Sequence, residues 1–277
     1  MDEELSLDCL IIRSSDVQAR LLHPQHKSLR EMQSRNSIVI LARHGETIWN
    51  RTRRLQGRTD IDLSSEGMEE AKNLSDALSS VPLSEVYCSP LSRSRKTAEI
   101  LGAPHGLTPK VRDAFLEVNY GSWEGKSTDY LRENFHEDFN KWMTHPTDVH
   151  IPDAEDLTSV RERVVEGFME VLRENQSDTN VIAIVGHGGI NRALLLFFLS
   201  ADLAAFWRIR QDNVCVNLIE VSGDVFRVSL LNSTAHLRMD YRALVEQARS
   251  RLGHGLSGPS LSSMGRVTTP ASVRKTG

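Results

Sequence analysis

Two histidines in this sequence each follow a short apolar run, and a glycine follows each histidine. His44 lies just beyond residues 38–42, and His187 lies just beyond residues 181–185. A continuous apolar run of this length, bounded by polar residues, is typical of a strand buried on both faces of a mostly parallel sheet. Because ligands bind at the carboxyl ends of such strands, we predict that the two histidines face one cleft. Gly45 is expected to let a ligand approach the backbone closely.

Two arginines and one acid are predicted to stand at the same edge of the sheet. Arg43 directly precedes His44. Arg93 follows a predicted strand at residues 86–88, and Glu117 lies in a loop that can close over this edge. A phosphoryl group in transfer carries dispersed negative charge, so its site needs cationic donors, a nucleophile and a proton source for the leaving oxygen. These residues supply all three, and the pattern predicts phosphoryl transfer without a metal or another cofactor.

The elements that must position these residues alternate between strands and helices. Apolar residues at helical spacing predict a helix after an N-cap at Ser64. A second helix is predicted to start at an N-cap, either Asp156 or Thr158, and to run to about Glu174. Residues 49–61 are predicted to be a polar loop.

Cap and turn residues predict the other elements. Ser89 followed by Pro90 predicts an N-cap and the first position of a helix. Another helix is predicted over residues 191–199, and a tight turn is predicted to join two strands, residues 214–221 and 225–231. The alternation favours an α/β fold, a three-layer sandwich whose mostly parallel central sheet is flanked by helices, with a small helical cap inserted.

The chain is predicted to contain one catalytic domain with a segment on either side. Residues 1–36 lack clear periodicity, and we treat them as an extension of unknown order. The catalytic domain spans residues 37–252, with its cap at about residues 126–156 and a last helix over roughly residues 240–252. Residues 253–277 are rich in Ser, Gly, Thr and Pro and contain no acid, a composition that predicts a disordered tail.

The composition excludes several classes of protein. A formal net charge of -4 and an isoelectric point of about 6.2 provide no overall basic field, so we predict no nucleic-acid partner. The three cysteines are too few and too widely spaced for a disulfide framework, which predicts a reducing, cytoplasmic location. No stretch reaches the length of a membrane span, and the acidic amino terminus does not resemble a secretory signal. The sequence leaves the oligomeric state open.

Five blocks of the sequence are similar to the histidine phosphatase superfamily, also called the phosphoglycerate-mutase-like family. The blocks are Arg43-His44-Gly45-Glu46-Thr47 with Trp49-Asn50, Gln56-Gly57-Arg58 with Asp60 and residues 63–67, residues 89–93 with Thr97-Ala98, Leu116-Glu117 with residues 121–125, and Gly186-His187-Gly188-Gly189. Together they span about residues 43–236, and five blocks in the family's order are a stronger signal than any one of them.

The resemblance implies a covalent mechanism. His44 would be the nucleophile and would become phosphorylated, while Glu117 would protonate the leaving oxygen and then activate water. His44 must be neutral when it attacks, and neighbouring arginines favour that state by lowering its pKa. Glu124 competes with Glu117 for the acid role, although its place between Trp123 and Gly125 favours a part in fixing the loop.

The resemblance also implies a phosphate pocket and substrate contacts. Arg43 and Arg93 would clamp the phosphoryl oxygens, since the planar fork of arginine binds two oxygens at once. His187 would donate to the same group, and Asn50 would complete the pocket. A further set of residues is predicted to bind the substrate: Gln56, Gly57, Arg58 and Gly188. Gln56 and Arg58 have the alternative of shaping only their own loop.

Three rival functions match this pattern less well. A zinc hydrolase lacks its usual ligand spacing, since neither His-x-His nor His-Glu-x-x-His occurs. A non-catalytic phospholigand-binding regulator would be expected to have lost His44 or Glu117, and both are present. Phosphoglycerate mutases of the similar family usually carry a longer insertion with an adjacent arginine pair, which the interval between Glu117 and His187 lacks.

We therefore predict a metal-independent phosphomonoesterase that acts on a small phosphorylated metabolite, with phosphoglycerate mutase as the alternative. Within the family, the compact interval resembles the small-molecule phosphatases, including the α-ribazole phosphatase group. Residues 151–156 depart from the Pro-Gly-Gly-Glu type of sequence of that branch, so the substrate contacts near Glu155 are left open. The aromatic residues near the cap either pack it or bind substrate: Trp123, Phe135 and Trp142.

Overall fold

A six-stranded sheet forms the centre of the fold. The computed structural model describes residues 36–175, 180–223 and 225–237. The strands are β1 (Asn36–Arg43), β2 (Glu85–Cys88), β3 (Lys110–Val111), β4 (Asn180–Gly186), β5 (Val216–Ser222) and β6 (Val225–Ser233). Their order is β3-β2-β4-β1-β5-β6. The first four strands in this order run parallel, and β5 and β6 add two antiparallel pairings. The mostly parallel sheet is confirmed.

Helices cover both faces of the sheet. They are α1 (Ile48–Arg51), α2 (Ser65–Leu78), α3 (Ser92–Gly102), α4 (Thr128–Asn134), α5 (His136–Thr144), α6 (Leu157–Glu174) and α7 (Gly188–Phe198). Val39 and Leu41 of β1 pack into one apolar cluster with α6 and α7. Ile40 and Ala42 point the other way, into a second cluster with α2 and α3. This alternation, with burial on both faces, confirms the three-layer sandwich.

Two helix starts follow the predicted caps. The hydroxyl of Ser64 accepts a hydrogen bond of 3.0 Å from the backbone N–H of Gly67 at the start of α2. Asp156, rather than Thr158, caps α6, because its carboxylate accepts from the backbone N–H groups of Thr158 and Ser159 at 3.0 and 2.9 Å. The predicted end at Glu174 is confirmed as well.

The predicted start of the third helix is wrong. Its N-cap is Leu91, without a side-chain cap bond, and α3 begins at Ser92. Among the described residues, the Ser89 hydroxyl accepts only from the N–H of Leu91. The carboxylate of Asp60 takes the capping role, accepting from the backbone and the hydroxyl of Ser92 at 2.8 and 2.7 Å. Because Asp60 is distant in sequence, the local pattern around Pro90 did not reveal it.

Three other elements differ from the prediction. The predicted loop at residues 49–61 begins inside α1, because Thr47 and Asn50 form a reciprocal capping box. Helix α7 starts at Gly188, three residues before the predicted start at Asn191. The short β3 was not predicted.

The two predicted strands joined by a tight turn are confirmed as β5 and β6. The predicted tail, the helix near residues 240–252 and nearly all of the extension lie outside the described residues.

The predicted cap is helical and contains an aromatic cluster. Between β3 and α6, the chain forms α4 and α5. The Trp142 ring lies 5.5 Å from Trp123 and 4.4 Å from Trp207, measured between centroids, and Phe135 lies 6.2 Å from Trp123. These contacts favour packing of the cap over substrate binding for the three predicted aromatic residues. Within the described ranges, no helix combines the length and apolar character needed to cross a membrane.

Candidate active site

The two histidines predicted to be functional lie side by side at the centre of the sheet. β1 and β4 are parallel neighbours, and Arg43 pairs with Gly186 where both strands end. His44 and His187 come next on each strand, and their ring centroids are 5.1 Å apart. Both side chains are buried, at 2% and 0% exposure. Two positions far apart in sequence thus form one site.

The ring of His44 is fixed in one tautomer. Its Nδ1 atom lies 2.7 Å from the carbonyl oxygen of Gly45. Because a carbonyl oxygen only accepts, Nδ1 carries the hydrogen, and the lone pair of the neutral ring is on Nε2. Burial, followed by the charges of Arg93 and Arg43, holds the pKa of His44 well below its usual range. The ring is therefore neutral near pH 7 and available as a nucleophile through Nε2.

Four buried nitrogen atoms of the site have no hydrogen-bond partner among the described residues. They are both ring nitrogens of His187, Nε of Arg43 and Nε of Arg93. Burial, Arg93 and His44 hold the pKa of His187 well below its usual range, so its neutral ring offers one donor. A buried polar atom without a partner costs roughly 1–3 kcal/mol. A donor set of this kind suits an anion rich in acceptor oxygens, as phosphate is.

Arg93 is fully buried and is oriented by the loop that precedes α2. Its Nη1 and Nη2 atoms donate to the carbonyl oxygens of Thr59 and Gly57 at 3.0 and 2.7 Å. Burial lowers the pKa of Arg93 to about 10, so the side chain remains charged at neutral pH. Gly57 has a φ of 53°, and a Cβ there would lie 1.9 Å from Oε1 of Glu124. Gly57 therefore shapes the loop that holds Arg93.

Arg43 is held by a residue that sequence analysis did not identify. Its Nη1 atom donates to the backbone carbonyl of Gln211 at 2.7 Å. The buried Gln211 side chain is bonded to the side chains of Asn217 and Asn191, which donate to Leu41 and Ala42 in β1. This network of amides joins β1, β5 and α7 behind the site. No local motif reveals it, because its members are far apart in sequence.

Glu117 lies at the amino end of α7, directly beyond His187. Its carboxylate accepts three backbone hydrogen bonds, from Val118 at 2.9 Å, Gly189 at 3.0 Å and Ile190 at 3.2 Å. A Cβ on Gly189 would lie 2.5 Å from Oε1 of Glu117, so glycine is required for this approach. The structure thus brings the predicted acid to the two histidines.

Glu124 is placed as a loop-fixing residue. Its carboxylate accepts from the backbone N–H groups of Arg58 and Thr59 at 2.8 and 3.0 Å and from the Thr59 hydroxyl at 2.6 Å. It also accepts from the N–H of Tyr120 at 3.2 Å. With its oxygens engaged by two loops, Glu124 is a structural connection between them, which favours Glu117 for the acid role.

Asn50 and Gln56 lie close to the site in different ways. The carboxamide oxygen of Asn50 accepts from the N–H of Thr47 and from Asn213, which also donates to the backbone oxygen of His44. This orientation leaves the amide hydrogens of Asn50 for another acceptor. Gln56 is only 8% exposed, and its Oε1 atom has no partner among the described residues.

Arg58 and Gly188 differ in their surroundings. Arg58 is exposed and forms an ion pair of 3.2 Å with Glu155, so its contacts favour shaping the loop. Gly188 forms part of the site wall, because a Cβ there would lie 3.7 Å from Nε of Arg43.

The explanation predicted for Gly45 is wrong. A Cβ on Gly45 would lie 2.4 Å from the backbone oxygen of Gly67, and a Cβ on Gly67 would lie 2.0 Å from the oxygen of Glu46. The two glycines allow the loop after β1 to pack against the start of α2. Gly45 is therefore required by backbone packing, which needs no ligand.

The comparison with known families agrees with this geometry. A model of the histidine phosphatase superfamily, branch 1, matches residues 39–234. The chain belongs to the histidine phosphatase superfamily. Phosphoserine phosphatase 1 of Hydrogenobacter thermophilus is 35% identical over 199 residues, which cover 72% of this chain and 93% of the relative. Adenosylcobalamin/alpha-ribazole phosphatase of Escherichia coli is 28% identical over 195 residues, covering 70% and 95% of the two chains.

Solved structures show the same fold. Bacillus stearothermophilus YhfR aligns with a TM-score of 0.67 at 28% identity and covers 73% of this chain and 99% of its own. The resemblance to the histidine phosphatases, including the α-ribazole phosphatase group, is thus confirmed. Within the part of the chain that the structure describes, no group of three or more His, Cys, Asp or Glu side chains is arranged to hold a metal ion.

One further residue near the acid was missed in the sequence. Arg163 in α6 donates to the backbone oxygens of Ala114 and Leu116, both at 2.8 Å, and of Glu117 at 3.2 Å. It also forms a two-pronged ion pair with Glu155 at 2.6 and 2.8 Å. Arg163 therefore holds the loop that carries the predicted acid of this histidine phosphatase. Its spacing along α6 gave no signal, because its partners lie in another segment.

Proposed function

We propose that this histidine phosphatase is a phosphomonoesterase that hydrolyses a small phosphorylated metabolite through a phosphohistidine at His44. The observation that carries the proposal is the set of buried nitrogens without partners on His187, Arg43 and Arg93, next to a neutral His44. The names of the relatives, a phosphoserine phosphatase and an alpha-ribazole phosphatase, support hydrolysis of a phosphate ester.

The first half-reaction forms a covalent intermediate. Nε2 of His44 attacks phosphorus, and the bond from phosphorus to the ester oxygen breaks as Glu117 gives that oxygen a proton. Arg43, Arg93 and His187 contact the three oxygens that remain on phosphorus. At an effective dielectric constant of about 20, one cation about 4 Å from a unit negative charge contributes roughly 4 kcal/mol. The two arginines therefore account for a large part of the stabilisation of the transition state.

The second half-reaction releases phosphate. Glu117, now ionised, takes a proton from water, whose oxygen attacks phosphorus as the bond to Nε2 of His44 breaks. The products are the alcohol and inorganic phosphate, and both His44 and Glu117 return to their initial states. Asn50, Gln56, Gly57 and Gly188 line or shape the pocket in this proposal, and Arg58 acts through its loop. The cytoplasmic location and the absence of a nucleic-acid partner stay predictions.

Replacing the nucleophile tests the proposal. His44→Ala is expected to abolish phosphate release and the acid-labile phosphoryl label that the wild-type protein acquires from a labelled ester. His136→Ala, at an exposed histidine of α5, is the matched control and should retain both. Unchanged turnover in His44→Ala would overturn the proposal. An assay with 3-phosphoglycerate and 2,3-bisphosphoglycerate tests the mutase alternative, which isomerisation faster than phosphate release would favour.

A further inference from the structure

One short loop contacts the predicted phosphate pocket from behind. The loop comprises residues 209–215, which join a short helical segment (Leu203–Arg208) to β5. Its backbone oxygens at Gln211 and Cys215 accept from the Nη1 atom and the backbone N–H of Arg43, at 2.7 and 3.2 Å. No carboxylate among the described residues forms an ion pair with Arg43. The 209–215 loop therefore holds Arg43 without neutralising its charge, which stays available for an anion.

The 209–215 loop also holds the backbone of His44, but less exclusively. The carbonyl oxygen of His44 accepts from the N–H of Val214 at 3.3 Å and from the side chain of Asn213 at 3.1 Å. The N–H of His44 has a separate bond, of 3.1 Å, to the backbone oxygen of Gly186 in β4. The guanidinium group of Arg43 has no second hydrogen-bond partner among the described residues, so it depends most on the loop.

Val214 gives the 209–215 loop a strained conformation. Its φ is 48°, in the left-handed region that a β-branched residue rarely adopts, and its side chain is fully buried. Such a conformation costs free energy and persists only where the surrounding contacts impose it. The loop therefore needs contacts that hold it in this conformation.

The buried carboxamide of Gln211 supplies such contacts. Gln211 is 3% exposed. Its Oε1 atom accepts from Asn217 of β5 at 3.0 Å and from Asn191 of α7 at 3.3 Å. Its Nε2 atom donates to the side-chain oxygen of Asn217 and to the backbone oxygen of Arg210, both at 2.9 Å. One side chain thus joins the loop to β5, to α7 and to its own backbone.

The two amide partners of Gln211 have other hydrogen bonds of their own. Asn217 and Asn191 also donate to backbone oxygens of β1, at 2.9 and 3.2 Å. The side-chain oxygen of Asn217 also accepts from the N–H of Asn232 at 2.8 Å. Loss of the Gln211 carboxamide therefore leaves these bonds in place, and we expect the fold to tolerate it.

We propose that Gln211 is a positioning residue for phosphoryl transfer, whose carboxamide holds the 209–215 loop in the conformation that fixes Arg43. This inference rests on the proposed phosphomonoesterase function and adds to it a residue that acts from behind the pocket. The competing interpretation is that Gln211 contributes only to the stability of the fold. The two interpretations differ in whether the effect of losing Gln211 passes through Arg43.

Ester hydrolysis and vanadate binding separate these interpretations. Gln211→Met keeps the length of the side chain but removes its polar atoms. It should lower kcat/KM by about tenfold to a hundredfold, and equally for an alkyl phosphate and for nitrophenyl phosphate, because both esters present the same phosphoryl group to Arg43. The Kd of vanadate, measured by titration calorimetry, should rise by a similar factor. In the Arg43→Met background, Gln211→Met should change kcat/KM by less than about threefold.

Asn175→Ala is the matched control for the loss of a buried amide. Asn175 lies at the end of α6, and its amide donates to the hydroxyl of Tyr87 and to the backbone oxygen of Val171, both at 2.8 Å. This variant should lower the free energy of unfolding without changing the Kd of vanadate. If Gln211→Met does not fold, Gln211→Asn takes its place, because it keeps a carboxamide that is one methylene too short to reach both β5 and α7.

Unchanged hydrolysis in Gln211→Met would overturn the inference. A loss of the same size in the Arg43→Met background would overturn it as well, since that loss cannot pass through Arg43. The proposed function fails separately if the wild-type protein hydrolyses no ester. In that case the Kd of vanadate still decides the role of Gln211, because binding needs no turnover.

Discussion

At the scale of single residues, the same charges serve two purposes around His44. Together with burial, Arg93 and Arg43 lower the pKa of His44, which keeps its ring neutral, and in the proposed mechanism they also attract the phosphoryl group that the ring attacks. A nucleophilic histidine needs both effects, since a protonated ring has no lone pair on Nε2. The arginines therefore make the nucleophile available without a separate base.

The role of Glu117 can be tested through the leaving group. Glu117→Gln keeps the size of the side chain but removes its acid, so hydrolysis of an alkyl phosphate should slow by about a hundredfold to ten-thousandfold. Nitrophenyl phosphate has a leaving group that needs little protonation, and its hydrolysis should fall much less. Steady-state kcat/KM for both esters measures the difference. Equal losses would instead assign Glu117 a positioning role.

At the scale of elements, the strand ends were the most predictable part of the site. The apolar runs before His44 and His187 predicted β1 and β4, and their parallel pairing follows from burial on both faces. Ser64 was recognised, and Asp156 was one of two candidates, because a cap acts on residues two or three positions away. Local chemistry of this kind is visible in a sequence without an alignment.

Contacts between distant segments were not predictable in the same way. Asp60 caps α3, Gln211 holds Arg43, and Arg163 holds the loop of Glu117, each across a long separation in sequence. No periodicity or spacing relates these partners, because the folded sheet alone brings them together. The role of Gly45 was predicted wrongly for the same reason, because the backbone it packs against, at Gly67, belongs to another element.

Arg163 should act on catalysis through Glu117. Arg163→Met removes three hydrogen bonds to the backbone of the acid's loop, so the loss of activity should be larger for an alkyl phosphate than for nitrophenyl phosphate. In the double variant with Glu117→Gln, Arg163→Met should add little further loss of activity on the alkyl ester, because both changes impair the same proton transfer. A full second loss in the double variant would show that Arg163 supports the fold independently, and Arg173→Met serves as the control on the same helix.

At the scale of the whole molecule, the catalytic charges are placed inside the fold. The two apolar clusters lie on opposite faces of the sheet, and the histidines follow the carboxyl ends of its two central strands, β1 and β4. Burial is the largest cause of the low pKa of His44 and of His187. The burial that lowers the pKa of both histidines therefore also makes the free energy of unfolding depend on pH.

The sign of this dependence follows from proton binding. In the unfolded chain, both histidines titrate near pH 6.5, whereas their pKa values in the folded state are well below that. Below about pH 6.5 the unfolded state binds more protons, so the free energy of unfolding decreases as the pH falls, by up to roughly 1.4 kcal/mol per pH unit for each histidine. Above about pH 6.5 their contribution is complete and constant.

Urea unfolding at a series of pH values between about 7.5 and 5.5 should show this decrease. His187→Gln removes one of the two groups and should reduce the slope of the unfolding free energy against pH below about 6.5, and adding His44→Gln should reduce it further. Vanadate, an anion that fits the proposed pocket, should raise stability at each pH in the wild-type protein, because it binds only the folded state. A stability that stays constant over this range, or a slope that both replacements leave unchanged, would contradict the burial of two neutral histidines.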